Sequence, residues 1–148
     1  MIPSLALGLG LFVLTLCVQA VPTVILIRVA SSKHPRGWTR PSFWPNFVLF
    51  QTAAVLLFLA HLVDVGLWAL LYCLCGEFAD FEVAYYHSAV NFTSLGYGDI
   101  VMSARWRLLG PLEAMNGIVM FALSTALMFA LMMRLIERRL EAKVKEQR

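Results

Sequence analysis

Three stretches of this chain are too long and too evenly apolar to serve as the core of a small soluble fold. The first runs from Leu5 to Ile27, with no charged side chain before Arg28. The second runs from Asn46 to Cys75, interrupted only by His61 and Asp64. The third runs from Pro111 to Met133, with Glu113 near its start. A helix of about 20 apolar residues, rising ~1.5 Å each, crosses the hydrocarbon layer of a bilayer. The charge content agrees: 14% of residues are charged, against roughly a quarter in soluble domains. The predicted fold class is an all-α integral membrane protein with three transmembrane helices.

The first stretch competes with a signal peptide, because Val18-Gln19-Ala20 resembles a small-residue cleavage pattern. No Lys or Arg precedes it, however, and the run continues past Ala20 to Ile27. A retained span is therefore expected. Ten of the 12 Lys and Arg residues then fall on one side. Four (Arg28, Lys33, Arg36 and Arg40) lie between the first two runs, and six, from Arg134 to Arg148, follow the third. Basic loops stay cytoplasmic. The expectation is a multi-pass protein of the plasma membrane, its N-terminus outside and its C-terminus cytoplasmic. The net charge of +3 reads as this topology rule, so the partner expected is the lipid bilayer and no nucleic acid. Cys17, Cys73 and Cys75 have no paired ligands for zinc and read as small apolar filler.

The segment between the second and third runs has its own character. Residues 80–92 read as a short helix, with Asp80 a good N-cap and Glu82 in the first turn, where the helix dipole favours an anion. Val83, Ala84, Tyr85, Tyr86, Ala89, Val90 and Phe92 make it too apolar for an exposed loop, and it is too short to cross. A re-entrant helix buried among others is the expected home. Thr93 to Asp99 then follows as "TSLGYGD". Irregular backbone at membrane depth survives only inside protein or lining water. For successive carbonyls to face one axis, right- and left-handed conformations must alternate. Gly96 and Gly98, two apart, make the left-handed positions nearly free. The carbonyls of Ser94, Leu95, Gly96 and Tyr97, with the Ser94 hydroxyl, could then replace the water shell of an ion.

At these residues the chain resembles the potassium-channel pore family, whose filter reads T-V-G-Y-G-D and whose loops turn carbonyls inward in a ring of four. Ser94 replaces the usual Thr and Leu95 the usual Val or Ile. The order of outer helix, pore helix, filter and inner helix also matches, over residues 46–139. The resemblance implies a pore domain at 46–136, with outer helix 46–75, pore helix 80–92, filter 93–99 and inner helix 111–136. Residues 1–45 would add an extra span and a basic loop, and 137–148 a cytoplasmic tail. It implies potassium as permeant ligand at Ser94, Leu95, Gly96 and Tyr97, in a filter bounded by Thr93 and Gly98, with Asp99 ringing the outer mouth. It also implies a homotetramer, since one chain supplies one filter strand. No cofactor, catalytic constellation or voltage-sensing arginine series is expected. The rival readings are a poorly selective cation channel and a non-conducting membrane subunit or sensor that keeps the pore fold.

Other residues carry two readings each. His61 and Asp64, three apart on one helix face, are a candidate pH-sensing pair or a packing hydrogen bond. Gly117 is a candidate gating hinge or a close-packing contact. Glu113 falls in the first turn after Pro111, where proline at N1 and an acid are both favourable. Ser124 and Thr125 could face a water-filled cavity or bond their own helix. The tail, with Ile136, Leu140 and Val144 four apart, suits a four-helix collar, a helix lying on anionic lipid, or a solvated end.

Overall fold

The computed structural model describes residues 2–31 and 43–146. Among these residues the chain forms four helices and no strand: α1 (Ile2–Ser31), α2 (Phe43–Leu74), α3 (Phe81–Phe92) and α4 (Leu109–Glu146). The spans long and apolar enough to cross a membrane are Ile2–Arg28, Trp44–Leu74 and Leu109–Leu140. Lys33, Arg36, Trp38 and Arg40 lie outside the described residues.

The long helices are apolar nearly all round, so hydrophobicity alone does not choose which face packs inward. Lipid is as apolar as leucine, and helices in it associate through close fit and interhelical hydrogen bonds. The buried positions reflect that. Ala53, Ala60, Ala69 and Ala84 are buried while Leu9, Val21, Phe58 and Phe129 point outward. On α1 the buried residues are Ser4, Gly8, Thr15, Gln19, Pro22 and Leu26, a stripe repeating at helical spacing. This stripe faces α4, and the two helices run parallel. Gly8 meets Leu112, where an added Cβ would lie 2.7 Å from Leu112 Cδ1. Thr15 meets Asn116 and Gln19 meets Ser124, and Leu26 shares a cluster with Leu131. The extra span is therefore built into the helix bundle, packed on both α2 and α4.

Two apolar clusters hold the bundle. Near the loop that follows α3, Val65, Trp68, Ala69 and Tyr72 of α2 pack with Ala84 and Phe92 of α3 and Leu109 and Met120 of α4. At the opposite end, Ala53 and Leu57 join Leu26 and Leu131. The short α3 is thus a wedge between α2 and α4, confined to one end.

The start of α4 differs from the sequence expectation. The helix begins at Leu109, so Pro111 is its third residue and Glu113 lies beyond the first turn. Proline is tolerated there because the first four N–H groups have no intrahelical partner. Glu113 therefore serves another purpose than complementing the dipole, described next.

Candidate functional site

The site grows from the two ends of α3. At its start Asp80, in extended conformation, accepts from the Glu82 N–H at 2.9 Å, and Glu82 occupies the first turn. At its finish the backbone folds into a Schellman cap. The Ser94 N–H donates to the Asn91 carbonyl at 2.8 Å, and the Leu95 N–H to the Val90 carbonyl at 3.0 Å. This motif requires a left-handed residue just past the cap, usually glycine. Here that residue is Ser94, with φ +59°. The Thr93 hydroxyl meanwhile donates back to the Ala89 carbonyl at 2.7 Å.

Beyond Ser94 the handedness alternates. Gly96 has φ +59° and Gly98 φ +73°, and Ser94 is the one non-glycine residue with positive φ among those described. Left-handed backbone thus falls at 94, 96 and 98, with Leu95 and Tyr97 between. Sequence reasoning assigned this role to the two glycines. It missed Ser94, because a serine carries no glycine signal and only the helix-cap register reveals it. Residues 93–99 are all exposed in the single chain.

Several side chains tie this loop to the helices. The Tyr86 hydroxyl donates to Asp99 Oδ2 at 2.7 Å. That bond holds the exposed Asp99 carboxyl below the usual carboxylate range. His87 Nε2 lies 2.9 Å from Asn91 Nδ2 within α3. The Glu77 carboxylate accepts from both the Ser103 N–H (2.7 Å) and its hydroxyl (2.6 Å), joining the turn after α2 to the turn before α4. Behind α3, buried Glu113 accepts from the Tyr72 hydroxyl of α2 and meets the Ser88 hydroxyl of α3. Ser88 also reaches the Val65 carbonyl at 2.8 Å. One side chain of α4 therefore links all three helices around the pore loop.

Gly117 lies against the end of α3, where a Cβ would sit 1.9 Å from the Phe92 carbonyl oxygen. His61 and Asp64 are both buried, with Nδ1 3.8 Å from Oδ2. His61 Nε2 lies 2.9 Å from Ser124 Oγ, which accepts from Gln19 Nε2 at 2.7 Å. Ser124 thus faces α1 and α2, while Thr125 donates to the Phe121 carbonyl of its own helix. Ser124, His61 and Asp64 have the composition of a nucleophilic triad. All three sit inside helices, whose backbone N–H groups are spent on the helix, so the backbone around them supplies no oxyanion donors. Sequence reasoning missed Tyr72, Ser88, Asn116, Thr15 and Gln19. The available signal was the spacing of polar residues within α1 and α4, four or eight apart.

A two-helix pore motif, with a re-entrant helix and an alternating loop between its helices, can be set against known families. The family model for ion channels matches residues 47–134, more than half of the chain. The chain belongs to the ion-channel family. The match covers α2, α3, the loop and most of α4 of this channel, and leaves α1 outside. No curated protein and no solved structure matches the chain.

Proposed function

We propose that this channel conducts potassium selectively, as a homotetramer in the plasma membrane with the 91–100 segment facing outward. The observation that carries the reading is the left-handed backbone at Ser94, Gly96 and Gly98. Alternation at every second residue turns successive carbonyls to one side, and four such strands make a cage of oxygens that can replace an ion's hydration shell. The carbonyls of Ser94, Leu95, Gly96 and Tyr97 are the ligands, with Thr93 and the Ser94 hydroxyl at the end nearest α3. The exposure of Leu95 (57%) and Tyr97 (67%) in the single chain suits side chains that await neighbouring subunits.

Electrostatics support a cation. The C-terminal end of α3 carries the negative pole of the helix dipole to the filter entrance. Asp99 adds a carboxylate at the other end, and four copies would raise the local cation concentration. The Lys and Arg distribution supports the orientation. A second reading, a poorly selective cation pore, is favoured by Leu95, which is unbranched at Cβ and stiffens the strand less than Val or Ile.

The test is ion flux into liposomes reconstituted with the purified protein, potassium against sodium, with and without barium. Potassium flux well above sodium and blocked by barium supports the reading. Equal flux favours the second reading, and absence of both counts against conduction.

A further inference from the structure

The family match leaves α1 without a role, yet α1 places its buried polar side chains against the inner helix. Gln19 Nε2 donates to Ser124 Oγ at 2.7 Å, and Ser124 lies 2.9 Å from His61 Nε2 on α2. With Gln19 donating, the Ser124 proton is free for the imidazole. One hydroxyl therefore joins α1, α2 and α4. Higher on the same face, Thr15 Oγ1 lies 3.1 Å from Asn116 Oδ1. These contacts bracket Gly117, where α4 touches the Phe92 carbonyl at the root of the loop.

Interhelical hydrogen bonds help to hold α1 to the bundle, but in lipid each is individually modest. Among the described residues, Gln19 Oε1 and Asn116 Nδ2 are buried with no hydrogen-bond partner. What polar contacts add is register, because they are satisfied at one axial position and not a turn away. Below Ser124, α4 meets α1 and α2 through the apolar Leu26–Leu57–Leu131 cluster, which lets helices slide more freely.

We propose that Gln19, supported by Thr15, is a positioning residue of the pore. It holds residues 116–124 of the inner helix, with His61 through Ser124, and so sets the balance between closed and open arrangements of α4. This rests on α4 lining a conducting pore.

Single-channel recording of the full chain in planar bilayers tests it, with Gln19→Leu, Ser124→Ala and the double variant. The expected result is a change in open probability of roughly fivefold in Gln19→Leu, the effect of losing one such hydrogen bond, and at least as large a change in Ser124→Ala, which also removes the His61 contact. The double variant should match Ser124→Ala, not the product of the singles, and unitary conductance and ion selectivity should stay unchanged. A merely structural role would lower tetramer yield without moving open probability. Unchanged open probability, multiplicative effects, or loss of assembly in both single variants would each overturn the proposal. A silent wild-type protein would instead sink the conduction reading. The distance between spin labels at positions 55 and 133, exposed on α2 and α4, would then decide. A common shift in Gln19→Leu and Ser124→Ala supports the proposal, and unaltered distances refute it.

Discussion

Gly117 and Phe92 are in backbone contact: a methyl group at 117 would sit 1.9 Å from the Phe92 carbonyl oxygen and 2.8 Å from its carbon. The obstacle is backbone at the end of α3, so it cannot swing aside as a flexible side chain would. Gly117→Ala must push α4 away from the end of α3 and the root of the 93–99 loop. Overpacking of this kind costs about 1–3 kcal/mol. The variant should unfold at lower temperature in detergent and lose current, measured on the same preparation. A variant as stable and as active as wild type would mean that α3 and α4 are not held this closely.

Gly96 and Gly98 differ from Gly117 in cause. A Cβ at either would meet nothing within 4 Å among the described residues, yet both have φ in the left-handed region. Alanine there is opposed by its own backbone, at roughly 1–2 kcal/mol. Gly98→Ala should abolish selective conduction with little loss of α-helical fold, read by ion flux beside circular dichroism. Undiminished selective flux would remove Gly98 from the filter.

Ser94 reverses the argument. It already bears that backbone cost at the Schellman position. Ser94→Gly should therefore raise thermal stability by about 1 kcal/mol while removing one of the two hydroxyls at the α3 end of the loop. The expected pair of results is a higher unfolding temperature and weaker barium block. Lower stability would show that the serine hydroxyl matters more to the fold than its φ.

The architecture was legible because apolar runs of membrane-spanning length and a short capped helix are strong signals. Asp80 and Glu82 marked the start of α3, and the glycine pair marked two of three left-handed positions. The helix boundaries of α4 were less legible. Pro111 is compatible with either N1 or N3, and only the turn around Ser103 to Trp106 decides between them. Asp64 lies near His61 on the same helix, but the partners of Glu113, Ser124 and His61 Nε2 lie on other helices, dozens of residues away in sequence. No local pattern encodes such pairs. The role of α1 was hidden for a related reason: in a helix apolar on every side, the inward face is told by Ser4, Thr15 and Gln19, not by hydrophobicity.

Asp99 sets an acid limit. Its carboxyl is held below the usual carboxylate range, near pH 4, by the Tyr86 hydroxyl. A depressed value means the ionised state, and the bond that favours it, persist above the ordinary value and are lost as pH falls through the lowered one. Potassium current should thus resist external acid to a pH below that range. Tyr86→Phe removes the donor, so block by external protons should begin at higher pH. Identical acid titrations of the two proteins would show that Asp99 does not govern entry.

Glu113 should tolerate an amide better than an alkyl group. Ser88 has one hydroxyl proton and faces two oxygens, Val65 O and Glu113 Oε1. Glutamine at 113 can donate to Ser88 while accepting from Tyr72. Leucine leaves the buried Tyr72 hydroxyl without that partner, at about 1–3 kcal/mol, whereas Ser88 keeps the Val65 carbonyl. Glu113→Gln should stay near wild type in thermal stability and Glu113→Leu should fall well below it. A loss in Glu113→Gln as large as that in Glu113→Leu would mean that the negative charge itself is needed.

The most direct test of the central claim is the reversal potential of the purified channel in a bilayer, with potassium on one side and an equal concentration of sodium on the other. Each tenfold preference for a monovalent cation displaces it by about 59 mV. A filter of four alternating 94–98 strands predicts a displacement of at least two such steps towards the potassium equilibrium. A reversal near zero, with current flowing, would contradict it.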